Sequence, residues 1–172
     1  MEWLVTAVGF VPVALVLRDV FHTILHPGGG GHITRGVFRA VWRALHALPG
    51  DRPLTLAGPL GFVATVAVWI LALVFGFALV YWQHLDARFS FASGLDPDAN
   101  TSFLDSVYFS FVTLATLGYG DITPSQLPFR LVAPTQGILG FALLTAAISW
   151  LLELYPALQR RRTLAATALS LQ

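Results

Sequence analysis

Two long runs without a formal charge, residues 53–85 and 131–152, dominate this chain, and a short glycine-rich strand lies between them, Thr116-Leu117-Gly118-Tyr119-Gly120-Asp121. Residues 56–82 are almost wholly apolar and exceed the roughly 20 residues that a membrane-crossing helix needs. The second run is bounded by Arg130 and Glu153, with Pro156 just beyond as a helix stop. Residues 3–17 form a weaker apolar stretch that extends to Leu25 if Arg18 and Asp19 sit near an interface, where long side chains reach the headgroups. That stretch reads as a third span; it lacks the basic start and small-residue cleavage site of a secretory signal, and a signal-anchor reading stands beside it. With 172 residues, 56% hydrophobic and only 11% charged, and a mean hydropathy of +0.71, the chain is a one-domain integral membrane protein by composition. A net charge of +1 speaks against a nucleic-acid partner. The absence of cysteine excludes disulfides, zinc thiolate sites and a thiol nucleophile.

Arginine placement orients the spans. Arg35, Arg39, Arg43 and Arg52 precede the first secure run and Arg160, Arg161 and Arg162 follow the second, so both flanks and the C-terminus are expected in the cytoplasm. The stretch between the runs then lies outside a cell membrane. It is acidic, with Asp86, Asp96, Asp98, Asp105 and Asp121 against Arg88 and Arg130. This negative potential either concentrates cations or belongs to a solvated loop, as Gly94 and Pro97 favour. Four regions follow: an N-terminal hydrophobic helix over 1–26, a glycine joint and amphipathic helix over 27–52, a central module over 53–156, and a cytoplasmic tail over 157–172.

Residues 33–48 place Ile33, Val37, Val41, Leu45 and Leu48 on one helical side and Arg35, Arg39, Arg43 and His46 on the other, with Phe38 and Trp42 at the edges. Such a helix lies in the cytoplasmic interface with its arginines beside anionic lipids, capped by Thr34. Packing against neighbouring subunits is the competing reading.

Residues 102–115 are too short to span and end directly at the glycine strand, so they read as a half-membrane helix, started by a capping box of Ser102 and Asp105. Its C-terminal end points to the membrane centre, where several converging ends would present partial negative charge to a cation. Irregular backbone at this depth must lie against protein or line a watery path. Gly118 and Gly120 supply positive-φ positions that let successive carbonyls face one axis, with Leu117 and Tyr119 packed behind. One strand cannot surround an ion, so a carbonyl cage requires three further identical subunits.

Thr116-Leu117-Gly118-Tyr119-Gly120-Asp121, between a half-membrane helix and a following span, resembles the potassium channel family over roughly residues 56–156. The resemblance implies an all-α membrane protein: outer helix, half-membrane pore helix with a selectivity-filter strand, and inner helix, assembled as a homotetramer. To these the N-terminal and interfacial helices are added. It further implies passive, potassium-selective conduction with no reaction and no organic cofactor. Potassium ions would sit on carbonyls of Thr116, Leu117, Gly118 and Tyr119 and the Thr116 hydroxyl, with Gly120 completing the strand and Asp121 at the outer mouth. Gly140 falls where the family often carries a hinge. A weakly selective cation channel and a non-conducting subunit retaining the fold are the alternatives. The chain departs from the family in Leu117 for valine, in Ala115 for a frequent threonine, and in Val112, where some members carry a glutamate paired with the aspartate after the filter. Tyr108 and Phe109 stand where some have paired tryptophans.

In the last span, Gly137, Phe141, Leu144 and Ile148 share the axis-facing side beside Gly140. An apolar constriction at Phe141 or Ile148 gates by dewetting, or those side chains simply pack; Gly140 bends the helix or lets it pack closely. Asp19, His22 and His26 share one helical face, a spacing that fits a divalent metal, a proton sensor, or imidazoles hydrogen-bonded within the chain. No helix carries an arginine at every third position, so a voltage sensor of that kind is not predicted.

Overall fold

Uncharged runs of this length satisfy their own backbone only by coiling, and they do so here. The computed structural model describes residues 2–25, 30–47, 56–95 and 101–170, with side chains over 4–23, 30–47, 56–95 and 101–152. In chain order it comprises α1 (Glu2–Leu25), α2 (His32–His46), α3 (Ala57–Trp82), a single turn α4 (Leu85–Arg88), β1 (Phe89–Phe91), α5 (Phe103–Leu114), β2 (Ile122–Pro124) and α6 (Leu127–Ser170). Three helices, over Leu4–Thr23, Ala57–Trp82 and Leu127–Leu152, are long and apolar enough to cross a membrane. Most of the glycine joint, Arg52, Asp96 and Asp98 lie outside the described residues, as do the side chains of Arg160, Arg161 and Arg162.

Pro156 does not end the last helix, contrary to the sequence expectation: α6 runs on to Ser170. A proline removes one backbone bond and strains one turn, yet the Leu, Ala, Gln and Arg residues around it favour helix strongly enough to continue. The fold is mostly helical, as expected for an all-α membrane protein, and adds one feature that was not expected, an antiparallel pair with Phe89 opposite Pro124, Ser90 opposite Thr123 and Phe91 opposite Ile122. Strands of three residues are too short for a period-two pattern to show in sequence.

Helix α3 is the hub. On one side it receives α1, antiparallel, because Thr6 Oγ1 meets His84 Nε2 at 3.0 Å near one end and Trp69 Nε1 donates to Asp19 Oδ2 at 3.0 Å near the other. Between these points the backbones touch at a glycine pair. A Cβ on Gly76 would lie 2.9 Å from the Gly9 carbonyl oxygen, and one on Gly9 would lie 2.7 Å from that of Gly76. Small residues permit this approach, which replaces the hydrophobic drive that lipid cannot supply.

Helix α2 is capped by another helix rather than by Thr34, which lies inside its first turn. Gly31 at the N-cap position has no side chain to offer. Instead the buried Asp19 carboxylate accepts from Ile33 N at 2.8 Å and from Thr34 N at 3.0 Å. The Thr34 hydroxyl and the Trp69 indole complete its shell. A side chain on Gly31 would strike that carboxylate. Phe38 of α2 rests on Gly61 of α3 and approaches Trp150 of α6, with ring centroids 6.3 Å apart; Phe62 and Trp69 flank the same indole at 5.1 and 5.7 Å. The amphipathic helix thus packs within its own chain while its arginines stay exposed.

Overpacked cores lose about 1–3 kcal/mol. Gly76→Val is expected to lower the melting temperature of the detergent-solubilised protein by several degrees. Gly58→Ala, whose added methyl meets nothing within 4 Å, is expected to leave it unchanged; tryptophan-fluorescence melting curves decide.

Candidate functional site

The strand 116–121 is positioned by α5, whose start is the expected capping box: the Ser102 hydroxyl accepts from Asp105 N at 3.3 Å and Asp105 Oδ2 accepts from Ser102 N at 2.9 Å. Phe103 packs edge-on against Trp82 at 5.3 Å, and α5 descends along α3 until Leu114 lines a cavity with Ile70, halfway down that helix. At about 1.5 Å per residue a helix of this length covers roughly half of a bilayer core.

One buried side chain holds α5 at its height. Gln136 of α6, fully buried, accepts from the Tyr81 hydroxyl of α3 at 2.8 Å and donates through Nε2 to the Ser110 carbonyl at 2.9 Å and to Ser110 Oγ at 2.8 Å. Ser110 Oγ in turn donates to the Val74 carbonyl at 2.8 Å. Three helices are joined in one polar knot, and no buried side-chain nitrogen or oxygen among the described residues lacks a partner. Above it, Tyr81, Phe89 and Phe109 meet edge to face with centroids 5.0–5.8 Å apart, and Phe129 closes on Phe89 at 5.5 Å. Sequence reasoning missed this knot. The signal was a lone amide inside an uncharged span, a placement that demands partners.

The strand leaves α5 through Thr116 N to Thr113 O and Leu117 N to Val112 O, both at 3.0 Å. Thr116, Gly118 and Gly120 have φ of 57°, 53° and 79°, while Leu117 and Tyr119 between them are not positive. Alternating the sign of φ turns successive carbonyls toward one side, where an ordinary strand alternates them. A β-branched residue at positive φ is strained, and such strain collects at functional sites. The far end is pinned by Ala92 N donating to Asp121 O at 2.8 Å, beside the β1–β2 pair.

Leu117 and Tyr119 do not pack behind the strand within this chain. They are 55% and 68% exposed, because no element among the described residues covers that side. Behind the strand lies an open notch of about 500 Å³, reaching from Phe109 and Thr113 to Ala133 and Gly137.

Of the residues expected on the last span, Gly140, Phe141 and Leu144 line a cavity of about 260 Å³ with Thr116 at the end of α5. Gly137 lies 3.6 Å, measured from its would-be Cβ, from the Thr113 carbonyl. Ile148 shares the exposed face with Phe141 and Leu144 but falls outside that cavity. A side chain at Gly140 would collide with the Leu114 carbonyl, so this glycine serves close packing of α6 on the end of α5.

Asp121 has a partner that sequence reasoning did not supply: the Tyr108 hydroxyl donates to its Oδ2 at 2.6 Å. The carboxylate pushes the Tyr108 phenol up to about 12, chiefly by accepting a hydrogen bond from the protonated phenol. Tyr108 is thus the link from α5 to the strand's outer residue, where Val112 offers none.

Among the triad Asp19, His22 and His26, the last lies outside the described residues. His22 lines a small cavity beside Asp19, whose oxygens already accept four hydrogen bonds, so a metal there would have to displace donors. Among the described residues no three metal-ligating side chains converge.

Residues 63–155 match the sequence profile of a family described as ion channel. An uncharacterized membrane protein of Bacillus subtilis, YdjJ, is 29% identical over 87% of this chain and 43% of its own length. Two-pore potassium channel 2 of Arabidopsis thaliana is 30% identical over 52% of this chain and 19% of its own length. Two pore potassium channel c of Oryza sativa is 41% identical over 29% and 12%. The chain therefore spans less than half the length of these relatives, and no solved structure matches it significantly.

Gln136→Leu is expected to cost about 1–3 kcal/mol for each polar group it strands, and adding Tyr81→Phe to it should restore part of the loss. Denaturation of both variants measures this. Asp121→Asn is expected to bring the Tyr108 ionisation down from about 12 toward its ordinary 10, read as the tyrosinate absorbance lost in Tyr108→Phe.

Proposed function

From the premise that this chain belongs to the ion channel family, we propose that it conducts potassium ions passively, as a homotetramer, through a cage of backbone carbonyls from four copies of residues 116–121. The observation that carries the reading is the alternation of φ sign along Thr116, Leu117, Gly118, Tyr119 and Gly120 at half-membrane depth on an uncovered face. Carbonyls turned to one side replace the hydration shell of an ion only when other copies complete the ring. In this arrangement α3 is the outer helix, α5 the pore helix and α6 the inner helix.

Supporting the cation preference, the C-terminal end of α5 directs the negative pole of its dipole toward Thr116, and Asp121 lies at the opposite end of the strand. Supporting the assembly, Leu117 and Tyr119 are exposed and the notch beside Thr116, Gly118 and Gly120 is open, and a neighbouring copy would fill both. The exposed Phe141, Leu144 and Ile148 then face the axis below the filter, an apolar inner vestibule open to gating by dewetting. Arginine placement supports a cytoplasmic side for both the α2 end and the C-terminus.

The test is ion flux in liposomes reconstituted with the purified protein. Potassium flux exceeding sodium flux, strongly reduced in Gly118→Ala, is the expected result, because a methyl group at φ of 53° adds strain to a backbone that Thr116 already strains. Equal flux of the two ions would instead describe a weakly selective cation channel, and no flux above empty liposomes a non-conducting subunit.

A further inference from the structure

The Gln136 amide acts on the very turn of α5 from which the strand departs. Ser110 stands one helical turn before Leu114, the last residue of α5, and receives both Nε2 bonds, at 2.9 Å on its carbonyl and 2.8 Å on Oγ. Carbonyls of the same turn anchor the strand: Val112 O accepts from Leu117 N and Thr113 O from Thr116 N, both at 3.0 Å. Gln136 therefore grips the turn that sets the first two residues of the strand.

The residues around Gln136 bear on the same turn without fixing it. Ala133, Gln136, Gly137 and Gly140 share one side of α6. A Cβ on Gly137 would lie 3.6 Å from the Thr113 carbonyl, and one on Gly140 would strike that of Leu114. Such glycine contacts set how near α6 comes to α5, yet a van der Waals contact resists sliding only weakly. A hydrogen bond has both a length and a direction. Of these four residues only Gln136 carries a polar side chain, so it sets the register of α6 along α5.

Register matters because the strand is strained. Thr116 is β-branched at φ of 57°, a conformation that persists only while its surroundings over-determine it. A shift of the last turn of α5 along α6 would let Thr116 relax to negative φ and swing its carbonyl out of line with those that follow. Whether carbonyls discriminate ions by cavity size or by the number of coordinating dipoles, one carbonyl out of line weakens the discrimination.

The other end of the amide has a different task. Oε1 accepts from the Tyr81 hydroxyl of α3, a bond that reaches neither α5 nor the strand. Tyr81 meets α5 through its ring, 5.0 Å from that of Phe109, and Ser110 Oγ ties α5 to the Val74 carbonyl of α3 at 2.8 Å. Removing the amide leaves both contacts in place, so α5 stays on α3 while its register on α6 is lost.

We propose that Gln136 is a specificity-determining positioning residue: through Ser110 its amide keeps the carbonyls of Thr116 and Leu117 in the register that prefers potassium to sodium. It touches no ion itself. The proposal rests on the channel reading and adds to it a residue outside the strand, on another helix.

The experiment measures potassium and sodium flux in liposomes for the wild type, Gln136→Leu, Tyr81→Phe and Gln136→Leu/Tyr81→Phe, at a temperature at which tryptophan fluorescence reports all of them folded. Stability alone places the double variant nearer the wild type than Gln136→Leu, because it strands fewer polar groups. Selectivity is expected to sort them differently. The potassium-to-sodium flux ratio falls about tenfold in Gln136→Leu, stays low in the double variant and keeps its wild-type value in Tyr81→Phe. If Gln136→Leu alone does not fold, the double variant carries the comparison with Tyr81→Phe. A wild-type ratio in the Gln136 variants, an equal fall in Tyr81→Phe, or a ratio that recovers with stability in the double variant overturns the proposal and leaves the channel reading standing. Equal flux of the two ions in the wild type overturns the potassium reading and this proposal with it.

Discussion

The amide of Gln136 is the bond on which the arrangement turns. A neutral amide inside an apolar span is costly unless every donor and acceptor is used, and here both ends are used, on two different helices. Tyr81 fixes α6 against α3, while Ser110 fixes α5 against both, through its own bond to the Val74 carbonyl. The height of α5 sets where Thr116 begins. Without that height the strand has no defined depth, and a path for ions needs one.

A second polar point, Asp19, organises the opposite end. Buried carboxylates persist when hydrogen bonds replace water, and four donors from α2 and α3 do so here. The same contact caps α2, requires Gly31, and ties α1 to Trp69, which lies against Trp150 of α6. A helix that the sequence presents as a separate interfacial element is therefore joined to the last span by aromatic contacts through Phe38 and Trp150. Packed rings connect α2 directly to α6.

The chain leaves one face unfinished. Leu117, Tyr119, Phe141, Leu144 and Ile148 are all at least half exposed, while Leu143, Ala147 and Trp150 on the other side of α6 are buried. An isolated soluble domain with such a face would aggregate; in a membrane protein with a strained strand on that face, further copies are the natural cover. This is the physical basis for reading the subunit as one part of a ring.

Much of this was legible in residues. Charge-free runs announced α3 and α6, Ser102 with Asp105 announced the start of α5, and two glycines marked the positions of positive φ, because each signal is local and is set by solvation or by backbone sterics. Thr116 at positive φ was not legible, since its strain is imposed by the bonds that end α5. Pro156 misled because helix propensity on both sides outweighed one lost bond. The capping of α2 by Asp19, the Tyr108 bond to Asp121, the β1–β2 pair and the Gln136 knot join residues distant in sequence, and only packing brings such partners together. By itself the sequence determined which segments must leave water and where the backbone can turn its carbonyls. The tertiary structure decided which polar side chains meet inside, because a buried hydrogen bond depends on position in space and leaves no periodic trace along the chain.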